Sequence, residues 1–591
     1  MTDRTVTTDV LIVGGGGAGF RAAIGAREKG ADAILVSKGP LARSGASPMA
    51  GADLTADGRG MRSLGFFGEP RDTKEKFLSD IVHQGCFLND QRLTEIYVRD
   101  APDRLRELLD WGLRANFTDE RAIFTTGTGI MDALRRRAKT VGVQTIENMA
   151  VLDLLLEDGH VAGALGLDLY TGEFVTFRCK AAVLATGGWH KAYTPVTGSR
   201  ELTGDGVAMA YRAGAELANM EFVTFCCNVF LWPPVWRGSI FPYVLSLVVG
   251  GTLLNSEGER FLDQYDPGLV RVALTTEWNK SFVSYATTKE VRAGKGSPHG
   301  GVYYDVGDMG WHTFETRVNQ FYPGWRYKGV DFSEMGELLR DGEGAEVGAA
   351  AEYFPGGIAV DEQYGSNIPG LYAAGECAIS LFGANRVMAA TTEMVVTGAV
   401  AGRAAGEHAT KTSALAPDPE QVQMLLHRAR QPLERKEGAK PARLRKQIQL
   451  RAYNQLGPMR TEGELNEFLA FLDEVKTTEL PTLCPASKSR RYNKEWFEAL
   501  DLENMIQALE VSAHAALART ESRGVHYRQD YPNTDNDQWL KEVVVKQVDG
   551  ELRLSTRPLG KPTLTPPKGS LPYEEMIKQM MDARSDIGGH H

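Results

Sequence analysis

The chain has 591 residues, 42% apolar and 24% charged, and its 66 basic and 76 acidic side chains leave a net charge of −10. That length exceeds one simple core and implies several domains, while the acidic balance argues against a nucleic-acid binder, whose phosphate partners call for basic surface. Six scattered cysteines without a C-x-x-C pair argue against a zinc site or an iron–sulfur cluster, so no metal ligands are assigned, and they read as reduced thiols of a cytoplasmic protein.

In chain order, the first element is an apolar run of strand length, Asp9 to Val13, which ends in Gly14-Gly15-Gly16-Gly17-Ala18-Gly19 and passes at once into an amphipathic stretch, Phe20 to Lys29. Gly14, Gly16 and Gly19 keep the G-x-G-x-x-G spacing between strand and helix. The first glycine allows a tight turn, the second a close backbone approach to pyrophosphate, and the third helix-on-strand packing. A second strand, Ala33 to Val36, ends in Ser37 and Lys38, without the acid that usually holds a ribose, which disfavours NAD. Residues 73–140 carry helical spacing, clearest from Arg92 to Trp111, and strands follow around Thr145 to Glu157, Val161 to Asp168 and Phe174 to Ala185. The last of these runs into Thr186-Gly187-Gly188, and Thr203-Gly204-Asp205-Gly206 opens a helix through Ala215.

From 236 to about 350 the texture changes to aromatics, scattered glycines and broken periodicity, as in an inserted domain. The run Ile240 to Leu254 is shorter than the ~20 residues of a membrane helix and carries Pro242, and Met1 to Arg4 lacks a signal-peptide pattern. Strand and turn signals resume at Gly356 to Val360 and Gly370 to Glu376, followed by a small-residue helix, Thr391 to His408. A polar linker at 411–417 leads to helical spacing over 418–523 and to short strands over 541–569. The basic run Arg428 to Arg451 suits either a solvated helix face or an acidic, ferredoxin-like partner.

Together these motifs resemble the flavoprotein subunits of succinate dehydrogenase and fumarate reductase, with L-aspartate oxidase and adenylylsulfate reductase as relatives. The residues that carry the resemblance are the first glycine turn, Ser37-Lys38 with Arg43-Ser44, Ala185 to Gly188, Thr203 to Gly206, Asn255 with Gly258 to Phe261, Gly375-Glu376, Gly383-Ala384-Asn385-Arg386, and Glu521 to Gly524 with His526, Arg528, Asp530 and Pro532. The resemblance implies an α/β fold: a Rossmann-like FAD-binding domain (1–235 and 351–410), an inserted α+β capping domain (236–350), a C-terminal helical domain (418–540) and a final segment (541–591). It implies FAD cradled by Gly14, Gly16 and Gly19, and lined by Ser37, Lys38, Ser44 and Gly187. Asp205 falls on the flavin side, Glu376 at the ribityl chain and Thr391 at the pyrimidine edge. It also implies a partner, an iron–sulfur protein of the same complex, through which any membrane association would be made.

The departures concern the chemistry. The histidine that bonds flavin covalently in the membrane-complex members falls at Gly45, so non-covalent FAD is expected. The proton-donating arginine falls at Leu247, one substrate histidine at Val223 and the other at Glu352; of the dicarboxylate-handling groups only Arg386 remains. Leucine transfers no proton, and a carboxylate buried against aliphatic groups without a donor is costly. A small-molecule substrate other than succinate or fumarate is therefore expected, reduced or oxidised at a C–C bond beside a carbonyl or at sulfur, with hydride moving through flavin N5. Arg386 would anchor or polarise it, and Glu352, if it lies under the cap, would be an acid or base of raised pKa, though an exposed loop glutamate fits as well. The aromatics Phe222, Phe225, Phe230, Trp232 and Trp236 suit either a bulky substrate or plain core. Tyr353, Tyr243 and His190 are weaker candidates, and the resemblance sets His526 near the flavin. Two other readings stay open: an electron-transfer or bifurcating flavoprotein without a small substrate, and a stand-alone flavin oxidase.

Overall fold

A computed structural model describes residues 3–582, apart from 52, 241–249, 276–277, 311, 315, 318–344 and 561. At its centre a five-stranded parallel sheet has the order Leu371–Ala373, Ala181–Leu184, Val10–Val13, Ala33–Ser37, Gln144–Glu147. The three central strands are buried throughout, which is why they read as unbroken apolar runs rather than alternating ones. The strand Val10–Val13 lies between two neighbours, and the loop that leaves its C-terminal end is the glycine turn.

The helix after that turn, Gly17–Glu28, packs along the helix Ala390–Lys411. A Cβ at Gly402 would strike the Ala22 carbonyl, and one at Gly398 would meet the Ala18 carbonyl at 2.5 Å. Small residues thus set how closely these backbones approach. The pair brings the chain that follows the inserted segment against the chain that precedes it.

A second sheet of order Arg4–Thr7, Phe174–Arg178, His160–Asp168, Met149–Glu157 buries Leu155, Leu165, Leu167 and Phe174 against Val422, Leu425, Leu426 and Trp496 of the C-terminal helices. Those helices, Pro419–Glu434, Pro441–Gln455, Glu462–Thr478 and Lys494–Ala518, begin where capping chemistry allows. Asp418, Thr461 and Asn493 accept hydrogen bonds from the first-turn amides of three of them.

The inserted region is built on an antiparallel sheet of order Thr224–Trp232, Ala345–Tyr353, Val302–Asp305, Thr252–Leu254. Its first strand starts at Thr224 and its returning strand ends at Tyr353, so the sheet reaches past both sequence boundaries, 236 and 350. The C-terminal strands form a hairpin, Lys541–Val548 with Glu551–Pro558, whose first strand joins the short strand Leu217–Ala218. The final segment is therefore sewn into a sheet with the chain that precedes the inserted segment. Among the described residues no helix is long and apolar enough to cross a membrane.

Candidate active site

The glycine turn has the geometry that its spacing demands. Gly14 has φ +121°, and a Cβ there would strike the Ala185 carbonyl, as one at Gly19 would strike the Gly14 carbonyl. At Gly16 a Cβ would meet only Ser47 Oγ, at 3.2 Å, which leaves that face of the turn open. The helix begins without an acid in its first turn, and its Gly17 amide donates to Ser47 Oγ at 3.0 Å. Its amides and positive dipole end suit a pyrophosphate.

Of the other residues expected around the cofactor, Gly187 lies beside Glu376, whose neighbour Gly375 lies against Ala18 of the turn. Gly14, Gly16, Lys38, Gly187, Asp205 and Glu376 each keep partial exposure among buried neighbours, as the wall of a crevice does. Gly188 N and Phe354 N donate to the two Glu376 oxygens at 3.3 and 3.2 Å, and burial pushes the Glu376 carboxyl up to about 8. An uncharged carboxyl and a glycine turn open at Gly16 fit a bound FAD. Ser37 closes its strand, buried; Ser44 Oγ donates to the Pro40 carbonyl at 3.0 Å, and Thr391 Oγ1 to the Asp53 carbonyl. Gly45 offers no side-chain nucleophile, and a Cβ there would meet nothing within 4 Å.

Lys38 and Asp205 do something the sequence did not foretell. Lys38 Nζ lies 3.0 Å from Asp205 and 2.5 Å from Asp501, and donates to Thr203 Oγ1. Asp205 also takes hydrogen bonds from Thr203 Oγ1 and Asn504 Nδ2. The lysine amine is raised and the Asp205 carboxyl lowered by their mutual attraction, against the effect of burial. These side chains fasten the second strand's end to the helix Lys494–Ala518.

Beside Glu376 lies a charged cluster. Glu352, near the end of the strand Ala345–Tyr353, has Arg386 Nη2 at 3.5 Å from one carboxylate oxygen and Lys280 Nζ at 3.6 Å from the other. Lys280 is fully buried, on the helical turn Asn279–Val283 of the inserted region. His190 bridges the two sites: its Nε2 donates to the Glu352 carbonyl at 2.8 Å and lies 3.5 Å from Glu376 Oε1. Burial lowers His190 to about 4, so it is neutral. Behind the cluster Tyr353 sets its ring under Arg386 and its hydroxyl on Glu393, which Ser380 also contacts. Burial raises Glu393 to about 7.

This arrangement corrects one expectation. Glu352 lies in the cluster with Arg386 and Lys280, and its carboxyl is lowered, because the two cations outweigh burial. It is a fixed anion rather than an acid or base of raised pKa. The aromatics are mostly packed on other rings: Phe222 on His526, Phe225 on Tyr193 and Tyr453, Phe230 on Trp236, and Trp232 on His299. Val223 is fully buried in the main core. His526 bonds Arg460 at 2.7 Å, beside a buried ionic network of Arg519, Glu221, Glu521 and Arg523. In the basic run, Arg428 pairs with Glu503 and Arg445 with Glu498. Leu247 and Tyr243 lie outside the described residues. All six cysteines are buried and free, and among the described residues no His, Cys, Asp and Glu cluster forms a metal site.

Comparison with known proteins agrees with this geometry. Residues 9–392 match the family of FAD binding domains, and residues 445–571 match the fumarate reductase flavoprotein C-terminal family. The chain is 32% identical over 574 residues to one of the subunits of the fumarate reductase (CoM/CoB) of Methanothermobacter marburgensis, an alignment that covers 93% of this chain and 98% of that one. Its fold superposes on Sdh1 of Mycobacterium smegmatis with a TM-score of 0.83 and 31% identity, over 95% of this chain and 96% of that one. For FrdA of E. coli quinol fumarate reductase the TM-score is 0.82 with 27% identity, over 96% and 99% of the two chains.

Proposed function

Because the chain belongs to the flavoprotein-subunit family of succinate dehydrogenases and fumarate reductases and is an FAD-dependent oxidoreductase, we propose that it exchanges hydride between non-covalently held FAD and a substrate other than succinate or fumarate. The observation that carries this reading is the Lys280–Glu352–Arg386 cluster, joined through His190 to Glu376 at the cofactor crevice. Bound there by the glycine turn, Gly187 and Glu376, FAD supplies hydride exchange at N5. Arg386 anchors or polarises a substrate carbonyl or carboxylate, Lys280 Nζ holds the proton for the carbon that takes no hydride, and Glu352 keeps both cations in place. Val223 and Glu352 stand where the resemblance implies histidines, which supports a substrate other than the fumarate of the named relatives. Electrons pass to or from an iron–sulfur partner, as the kinship with subunits of multi-chain enzymes suggests. The buried thiols support a reducing compartment, the cytoplasm.

The test is anaerobic spectroscopy of the purified holoprotein. Acid precipitation should release the flavin, and flavin retained in the pellet would refute the non-covalent reading. Enoates, acyl compounds and sulfur compounds are then titrated into reduced and oxidised protein. Flavin reoxidation or bleaching by one of these, with fumarate and succinate slow, supports the proposal; fumarate as the fastest oxidant overturns its substrate half. A second reading, an electron-transfer flavoprotein, draws on the aromatics Phe222, Phe225, Phe230 and Trp232, which are packed on other rings. It wins if every small molecule is silent while a copurified iron–sulfur protein changes the flavin's redox state.

A further inference from the structure

We infer that the C-terminal helix, Tyr573–Asp582, is a clamp on the substrate site: docked, it holds the helical run that carries Lys280 against Glu352. Its release loosens that contact and leaves the glycine turn in place. The clamp itself stands on packing; that the site it governs takes a small substrate rests on the reading above.

Tyr573, Met576, Ile577 and Met580 are spaced as one apolar stripe of a helix, and all four are buried. Glu574 and Glu575 occupy the first turn, where they suit the helix dipole. A helix this short is marginal in water, so it owes its stability to the surface on which it docks. That surface is shared between two stretches of chain. On one side is the helix Lys74–Gln84, which precedes the inserted region, and on the other the helix Pro267–Thr275 within it. The stripe closes one apolar cluster with Val82 and Leu88 from the first stretch and Leu269, Ala273 and Phe282 from the second.

Polar contacts fix the direction of the grip. Lys578 Nζ lies 3.3 Å from one oxygen of Asp266, whose other oxygen accepts from the Leu269 amide at the start of Pro267–Thr275. Tyr285 donates its hydroxyl to Glu574 at 3.4 Å and sets its ring 5.9 Å from that of Tyr573. From there the packing runs inward. Tyr285 meets Phe282 at 6.2 Å between ring centroids, and Phe282 shares the turn Asn279–Val283 with Lys280. The clamp hangs from the strand Ser570–Pro572, which pairs with Asn533–Asp535, so the helix can lift away without unpairing a sheet.

The test compares three holoproteins. They are the wild type, Ile577→Asp, which puts a charge into the buried stripe, and Gln579→Asp, which puts it on the exposed face of the same helix. Amines are acetylated with acetic anhydride, without substrate, and labelling of Lys280 is read by peptide mass spectrometry. Lys280 is fully buried and should label slowly in wild type and Gln579→Asp, and about tenfold faster in Ile577→Asp. Hydrogen exchange should quicken in the same variant over Pro267–Thr275 and Ser284–Glu290, with the glycine turn and flavin content unchanged. Fast exchange in Tyr573–Asp582 with Lys280 still protected overturns the inference. Should Ile577→Asp fail to fold or keep its helix docked, wild-type exchange in low urea decides. Tyr573–Asp582 and Pro267–Thr275 are expected to open together, before the strand Val10–Val13. Opening of Pro267–Thr275 only with that strand overturns the inference. Neither readout needs a substrate, so the clamp and the small-molecule reading stand or fall separately.

Discussion

Tyr353 donates its hydroxyl to the Glu393 carboxyl at 2.5 Å, deep between the strand that ends in Glu352 and Tyr353 and the helix that begins at Ala390. Burial raises Glu393 from its ordinary 4.5 to about 7. Between those values the folded protein holds a proton that the unfolded chain has lost, so stability falls as pH rises through this window. Glu393→Gln keeps the shape without the charge. It should melt like wild type at pH 5 and at a higher temperature at pH 8, a gain on the order of 1–3 kcal/mol. Equal melting temperatures at pH 8 would show that Tyr353 and Ser380 already compensate the ionised carboxylate.

Glu376 gives a second pH dependence, read at the cofactor. Its carboxyl is protonated below about 8 and loses its proton above that value, against the effect of burial. FAD retention by wild type should be flat from pH 6 to 7.5 and decline above pH 8. Glu376→Gln should hold FAD with no such decline, and Glu376→Ala should release it more readily at every pH. The measurement is flavin in the filtrate after dialysis at each pH.

The buried network makes a prediction about stability alone. Glu521 takes Arg519 at 2.9 Å and Arg523 at 2.7 Å, with all three side chains fully buried. Glu521→Ala leaves two guanidinium groups short of an acceptor in the interior and should cost about 3–5 kcal/mol, seen as a lowered urea midpoint or lost soluble yield. Glu521→Gln, which keeps one acceptor, should cost less.

Helix packing supplies a matched pair of substitutions. A Cβ at Gly402 would collide with the Ala22 carbonyl, whereas at Gly463 it would meet nothing within 4 Å. Gly402→Ala should force the two helices apart and destabilise by roughly 1–3 kcal/mol. Gly463→Ala, inside the helix Glu462–Thr478, should be neutral or stabilising by up to about 1 kcal/mol. The melting temperature should therefore fall for Gly402→Ala and hold or rise for Gly463→Ala.

What could be read in the sequence was local. Gly14, Gly16 and Gly19 announce their turn because strand, turn and helix are contiguous, and Gly187 and Arg386 follow from short motifs of the same kind. Lys280 escaped notice because nothing around Asn279 to Val283 marks it; only the tertiary fold carries it to Glu352. The Glu352 carboxyl is lowered rather than raised because Arg386 and Lys280 together outweigh burial. Likewise Arg428 and Arg445 look like a free basic face until Glu503 and Glu498 arrive from a helix far along the chain. The pairing of Lys38 with Asp501 is of the same long-range kind.

The central sheet also governs how this protein must be made. Its edge strand Leu371–Ala373 pairs with Ala181–Leu184, and both the inserted region and the returning strand lie between them in the chain. On the ribosome, therefore, the strand Ala181–Leu184 emerges with one side unpaired and stays so while nearly two hundred further residues are synthesised. Later still, Leu217–Ala218 waits for Lys541–Val548 to close its own sheet. The central sheet is thus complete only once Leu371–Ala373 has emerged, and a product that stops short of it displays an unpaired strand edge that a chaperone would have to shield.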